Sequence, residues 1–396
     1  MSEQTEFQKA WRRFRRNRPA FAGLCFIVLA VFAAIFGYAL APDHAPDANT
    51  QIPELALQPP GTSALLIPIK LNNPASEVSW LTGLISGRPS SERFIPIVPK
   101  SLRQEGDSLH FEYVGSKNRQ GSVHLLALFF VISDSISIDG DGYVFTNVAG
   151  EVQRVSKKAV MEKWADGAVL KTRFFALGTD KYGRCMLSRL LLGFRISLLV
   201  GLIAVAISLT IGLLLGMLGG FFGGRLDDVV MLLVNTVWSI PTLLLVFAIV
   251  LALGRGIGII FLAVGLTMWV DVARIVRGQT LALRALPFVE AARSMGLSHG
   301  RILRRHILPN LLGPVLVVAS GNFATAILVE SGLSYLGFGV QPPTPSWGSM
   351  LHENYGYAIG GKPLLALAPA FAIALTVLAF NLIGNGLRDA LDVKGK

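Results

Sequence analysis

Six stretches of this chain are too long and too apolar to serve as ordinary core elements of a water-soluble domain. They fall at about 19–41, 195–219, 229–253, 257–276, 311–336 and 364–386. Each is near the ~20 residues needed to cross the hydrocarbon of a bilayer. Several contain glycine or proline, which helices inside a membrane tolerate. Charge is scarce to match: 15% of residues are charged, against about 25% in a soluble domain. The first run follows a basic flank and ends in Ala39-Leu40-Ala41, as a secretory signal does. A signal core is only about 7–15 residues long, so 19–41 is read as a span.

The net charge of +11 does not point to nucleic acid, because most of the surplus lies in two short segments beside apolar runs. Residues 1–18 carry Lys9, Arg12, Arg13, Arg15, Arg16 and Arg18 against Glu3 and Glu6. Residues 277–306 carry Arg277, Arg284, Arg293, Arg301, Arg304 and Arg305 against Glu290. Basic clusters beside spans report topology and anionic lipid. The basic segment 1–18 is therefore expected in the cytoplasm. Six crossings return the tail, 392–396, to the same side. Residues 42–172 then lie outside, and the basic loop within 277–310 lies inside. The connection at 254–256 falls outside and that at 220–228 inside. The expected fold class is an all-α polytopic membrane protein of six transmembrane helices, with a β-rich insert between helices 1 and 2. Residues 173–391 form its core.

The insert has a different character. It opens rich in proline (Pro42, Pro46, Pro53, Pro59, Pro60, Pro68), and stretches such as 123–138 and 143–148 look like strands. Asp139-Gly140-Asp141-Gly142 between them has turn chemistry. Ser137, Asp139, Asp141 and Gly142 also fit the first half of a calcium loop, but position twelve is Val148 rather than glutamate, so a hairpin turn is expected. His110 and His124 have no ligand-spaced partner and are read as surface or structural residues. Cys25 and Cys185 do not suggest a disulfide framework. No metal or cofactor is expected.

Residues 287–310 are the most informative. Pro287 suits a first helical turn. Ala291 and Ala292 form helix while leaving little bulk, so that another surface can approach. Gly296 suits a helix end. Arg301, Arg304 and Arg305 occupy a second helix, and Pro309 is expected to mark its end and re-entry into the membrane. Glu290-Ala291-Ala292, Gly296 and Leu308-Pro309 at this spacing resemble the cytoplasmic loop of ATP-binding-cassette importer permeases. The resemblance implies that Glu290, Ala291, Ala292, Gly296, Leu308 and Pro309 form an ATPase-coupling loop that docks into a cleft on a partner. His306 stands where the family often has an aliphatic residue.

A second segment is similar to the C-type subunit of dipeptide and oligopeptide transporters: Leu177-Gly178-Thr179-Asp180, Gly183-Arg184, Ser188-Arg189, Gly193 and Arg195. The family usually has aspartate where this chain has Cys185, which puts in doubt a salt bridge at that position. Ala273-Arg274-Ile275-Val276-Arg277-Gly278 and 339–348 extend the likeness; 42–172 lies outside it. In 339–348, Pro342, Pro343 and Pro345 stiffen the backbone and exclude helix. That loop, with Trp347, is either part of an outer gate or binding-protein surface, or a rigid connector.

The resemblance implies a permease subunit in the bacterial cytoplasmic (inner) membrane, importing peptides or related small solutes by alternating access. Implied partners are a second permease in a heterodimer, two ATP-binding subunits, an external substrate-binding protein and the lipid bilayer. The chain is not expected to be an enzyme. It has no Gly-x-x-x-x-Gly-Lys-[Ser/Thr] stretch, so ATP would be bound by partner subunits. Polar groups within spans are costly and face a bundle interior or a cavity. Glu330, Asn322 and Asn235 are candidates for the translocation path, beside Asp271, Asn381 and Asn385. For Glu330, path lining and pairing between helices both stand open; Asp271 is near enough to Arg274 to pair with it. Rival functions are a secondary transporter or channel, which needs no coupling motif, and a membrane-anchored enzyme with its chemistry in 42–172.

Overall fold

A computed structural model describes residues 6–71, 78–115, 119–133, 136–147, 150–165 and 169–391. The expected tail 392–396, the first residues of the basic segment and Val148 lie outside them. The chain divides into two units. One comprises 1–34, 193–356 and 366–396; the other comprises 35–192 and 357–365.

The first unit is helical. The basic helix Glu6–Arg16 stops at Asn17, whose Oδ1 accepts the Ala20 backbone N–H at 3.2 Å and starts the apolar helix Arg18–Ile35. Among the described residues, five helices are long and apolar enough to cross a membrane: Arg18–Ile35, Met186–Phe222, Ile257–Arg284, His299–Tyr335 and Leu364–Leu391. Residues 229–253 do not form the straight span expected. Two helices, Gly224–Trp238 and Thr242–Leu253, meet at 89°. Pro241 at the junction lacks a backbone N–H, and it restricts Ile240 away from helical torsions. The first span is also shorter than expected, breaking at Phe36 before a single turn, Gly37–Leu40.

The helices are held close by glycine. Gly212, Gly216 and Gly220 recur every fourth residue on Met186–Phe222 and face the helix Ile257–Arg284. A Cβ on Gly216 would sit 2.6 Å from the Ala273 carbonyl oxygen, and one on Gly220 2.8 Å from that of Arg277. Where lipid removes the hydrophobic drive between helices, such small-residue stripes let backbones approach and gain dispersion contact. Asp227 and Arg277 clamp the same end with two hydrogen bonds, at 2.5 and 2.6 Å.

Among its described residues the second unit carries nine strands: β1 (Thr62–Lys70), β2 (Glu92–Ile97), β3 (Arg103–Glu105), β4 (Ser108–Glu112), β5 (Gln120–His124), β6 (Ser137–Asp139), β7 (Gly142–Thr146), β8 (Val152–Ser156) and β9 (Lys171–Phe175). They form three antiparallel sheets, ordered β2-β1-β9, β3-β4-β5 and β6-β7-β8. The insert therefore runs past residue 172, because β9 returns to pair with β1 from Thr62↔Phe175 to Leu66↔Lys171. Pro68 lies in the central strand yet costs no ladder bond to β9, which has already ended.

The stretch 123–138 is not one strand. Leu125, Leu126 and Leu128 are buried, and Leu126–Phe129 is a short helix between β5 and β6. Apolar residues at i, i+1 and i+3 have a helical rather than an alternating period. The Asp139-Gly140-Asp141-Gly142 stretch is a hairpin turn: Asp139 pairs with Gly142, and Gly140 takes φ +59°. Asp139 forms an ion pair with Arg154 at 2.7 Å. His124 packs edge-on against Tyr143, and His110 lies 3.9 Å from Glu105.

Candidate functional site

The loop after Ile257–Arg284 is a closed, packed device. Pro287 occupies the first turn of the helix Pro287–Ser294. At the other end Gly296 takes φ +73°, its N–H donates to the Arg293 carbonyl at 2.9 Å, and the Leu297 N–H donates to the Ala292 carbonyl at 3.2 Å. That pair of bonds is a Schellman closure, which needs a left-handed residue. Leu297 completes it by packing into the cluster that holds Val289, Ala292, Ile302, Ile307 and Leu311.

The neighbouring helix end fixes this loop. Arg284 donates to the Gly220 and Phe221 carbonyls at 3.1 and 3.2 Å, supplying donors and positive charge to a helix C-terminus. Phe221 and Phe222 both meet the His299 ring edge-on, and Arg293 lies over Phe221 at 4.9 Å.

The six expected coupling residues do not share one face. Glu290, Ala291, Gly296 and Pro309 are exposed and Leu308 is half-buried, but Ala292 is buried in the loop's own cluster. Ala292 therefore has almost no exposed surface to offer a partner. Small size is needed there because Val289, Ile302 and Ile307 close over it. The outward ridge instead includes Phe288 and Met295, the latter 73% exposed. Neither is among the six residues expected from the sequence, although Met295 beside a turn glycine is a readable signal. Pro309 does not end the second helix. A π turn, Leu303–Ile307, runs into Leu308–Tyr335, so the chain continues as helix through the proline. The wider turn realigns a ladder that Pro309 cannot donate to, and Asn310 Nδ2 donates to the His306 carbonyl at 2.6 Å.

The intramembrane polar groups separate into two sets. Glu330 is fully buried; it accepts from Ser334 at 2.7 Å, and Ser334 accepts from the Val340 N–H at 3.1 Å. Ser334 lies four residues on in Glu330's own helix, so the bond between them is not a pairing between helices. Asn322 is also buried and donates to the Met268 carbonyl of a neighbouring helix at 3.4 Å. Asn235, Asp271, Asn381 and Asn385 are exposed on the chain's surface. Arg274 lies over the Trp238 ring at 3.9 Å. Trp347 is not presented outward: it is fully buried edge-on against Phe194 at 4.7 Å, and Pro345 and Ser346 are buried with it, whereas Gln341, Pro342 and Pro343 are exposed.

Before the Met186–Phe222 helix, Asp180 gathers the segment 177–189. It accepts the Tyr182 and Arg184 backbone N–H groups at 2.9 and 3.0 Å and the Arg184 Nε at 2.6 Å, with Arg189 4.0 Å away. Both arginines thus have an acid without one at position 185. Cys185 is buried and free, and Cys25 is exposed and free.

Multiple membrane-length helices, a glycine-spaced helix pair and a rigid loop at one end of it define a polytopic membrane protein of the transport class. Residues 195–394 match the family described as the binding-protein-dependent transport system inner membrane component, and residues 5–60 match the N-terminal TM domain of oligopeptide transport permease C. The oligopeptide transport system permease protein OppC of Salmonella typhimurium is 50% identical over 219 residues, which are 55% of this chain and 72% of the relative. The glutathione transport system permease protein GsiD of Shigella flexneri is 48% identical over the same lengths. A chain from an inward-facing MetNI methionine ABC transporter aligns at 22% identity and a TM-score of 0.42, over 50% of this chain and 94% of its own. The chain belongs to the family of binding-protein-dependent inner-membrane transport components: it is a permease subunit of an ABC importer.

Proposed function

We propose that this permease is the C-type subunit of an importer for dipeptides, oligopeptides or related small solutes. Support for the substrate class comes from the relatives, whose names concern oligopeptides and glutathione. In this reading the bent pair Gly224–Trp238 and Thr242–Leu253 supplies the sixth crossing. Both termini are cytoplasmic and the β-containing insert lies outside. A second permease completes a heterodimer, two ATPase subunits bind and hydrolyse ATP, and an external binding protein delivers the solute. ATP-driven closure of the ATPases moves the coupling loop, and the spans switch access from outside to inside. Asn235, being exposed, is a candidate for the path; Asn322 ties together two of the helices that shape it.

The observation carrying this reading is the exposed ridge of Glu290, Ala291 and Met295 on a helix locked by its Schellman closure and its own apolar core. A lever that passes motion from an ATPase to membrane helices must be stiff at its base and open at its tip. Ala291→Trp therefore leaves the inserted level unchanged, weakens recovery of the ATPase subunits from membranes and abolishes peptide uptake. Ala292→Trp overpacks the loop's own core, at roughly 1–3 kcal/mol, and lowers the level of folded chain itself. Arg301→Ala has little effect. Normal ATPase recovery and uptake in Ala291→Trp would remove the docking assignment.

A further inference from the structure

The short helix Trp80–Ser86 is turned inside out for a domain surrounded by water. Trp80, Leu81 and Ile85 are 66%, 61% and 66% exposed, whereas the residue facing inward is Gly83. At 100° per residue, positions 80, 81, 84 and 85 share one face and Thr82, Gly83 and Ser86 share the other. Trp80, Leu81 and Ile85 stand exposed on the apolar face and Leu84 is half-buried there, while Thr82 and Ser86 are exposed on the other.

Its place in the chain is fixed. Gly87 takes φ +79°, and a Cβ there would meet the Tyr38 ring at 2.8 Å and the His44 carbonyl at 2.9 Å. The Arg88 N–H donates to that same carbonyl at 2.8 Å. The helix is thus pinned to residues 38–46, which follow directly on the span ending at Ile35. Leu40, on the turn it is pinned to, is 48% exposed and continues the apolar surface. At the foot of the helix a cavity of about 170 Å³ is lined by Tyr38, His44, Trp80, Leu84 and Arg88. Arg88 is exposed, and among the described residues no carboxylate pairs with its guanidinium.

We infer that Trp80–Ser86 is an interfacial anchor that seats the insert on the bilayer the chain spans. Trp80, Leu81, Leu84 and Ile85 enter the headgroup–acyl boundary, and Arg88 meets a lipid phosphate at the rim. The location argues for lipid as the occupant. An apolar face tied within a few residues of a span's end lies at the depth where the bilayer interface is. Tryptophan favours that depth, with its ring in the apolar layer and its N–H toward the headgroups. A planar guanidinium pairs with phosphate oxygens, and helices of this polarity lie in the interface plane.

The test uses the full chain in phosphatidylglycerol–phosphatidylethanolamine vesicles, with Cys25 and Cys185 replaced by alanine. Nitroxide labels are placed through Leu81→Cys, Thr82→Cys and Ile85→Cys in separate proteins. Collision with oxygen, which partitions into lipid, is compared with collision with a water-soluble nickel chelate. Labels at 81 and 85 are expected to favour oxygen over nickel several-fold more than the label at 82. A nickel preference at all three sites would mean that the face meets water and would overturn the inference. Labels at 81 and 85 shielded from both reagents would mean that protein covers the face, with the same consequence. A Leu81→Glu, Ile85→Glu protein, carrying the label at Thr82→Cys, should shift that site further toward nickel. No shift would also count against lipid seating.

Discussion

At the residue scale, buried charge is tolerated only where each ion has several partners. Asp180 illustrates this. It receives two backbone N–H groups and the Arg184 side chain while nearly excluded from solvent. Removing one partner of such a set leaves uncompensated charge in a poor solvent, at about 3–5 kcal/mol. Asp180→Asn is expected to lower the melting temperature of the solubilised chain, read by scanning fluorimetry, whereas Arg154→Ala at the exposed hairpin pair shifts it little. Glu92 makes a different case. Burial pushes its carboxyl up, but hydrogen bonds and charge from Lys171 and Lys70 outweigh that and hold it below the ordinary value. A depressed carboxyl contributes stability above its unfolded pKa, roughly 4.3, and loses it as pH falls through the lower folded value. Thermal melts of residues 43–176 should therefore show Glu92→Gln less stable than the parent at pH 7, with the gap closing below about pH 4. A gap that is constant with pH would remove the ion-pair account.

At the element scale, the glycine stripe decides how near two membrane helices come. Val in place of Gly216 would drive its side chain into the Ala273 carbonyl and Val276. The expected cost is about 1–3 kcal/mol, seen as a lower melting temperature in detergent. Gly321→Ala is the contrast. Nothing lies within 4 Å of a Cβ there, and alanine is the better helix former by roughly 1 kcal/mol. That variant should match or exceed the parent. Equal melting of both variants would mean that the stripe does not set the contact. The stripe was visible in the sequence as Gly212, Gly216 and Gly220. Its partner was not, because a period along one helix does not name the helix opposite. The bend at 239–241 was hidden for a related reason. Proline inside a span is tolerated in many settings, and only the surrounding helices show that here the chain turns.

At the scale of the whole molecule, the proposed sidedness rests on arginine bias together with the proposed six crossings. The full chain with Cys25 and Cys185 replaced by alanine, carrying Lys158→Cys on the insert or Ser298→Cys on the loop, tests both. In spheroplasts, a thiol reagent that cannot cross membranes is expected to label the first and spare the second; in inverted vesicles the order reverses. Labelling of both from one side would exclude the six-crossing arrangement.

What the sequence by itself determined about this protein follows from quantities that add along a chain. Run length and apolarity located the membrane helices but not all their ends: Met186–Phe222 begins well before the run at 195–219, Ile257–Arg284 continues past 276, Arg18–Ile35 stops short of 41, and the chain bends near Pro241. The spacing from Glu290 through Gly296 to Leu308-Pro309 carried the family, and Gly296 occupies the helix-closing position its residue type suggests. Turn chemistry gave the hairpin at 139–142. The tertiary structure decided which side each residue faces. Ala291 and Ala292 are alike in sequence, yet one is exposed and the other sealed under Val289 and Ile302. Trp347 is buried against Phe194, which lies far from it in sequence. The insert closes only when β9 reaches β1 across more than a hundred residues. Burial and pairing are properties of two surfaces meeting, and polarity read along one strand of sequence supplies only one of them.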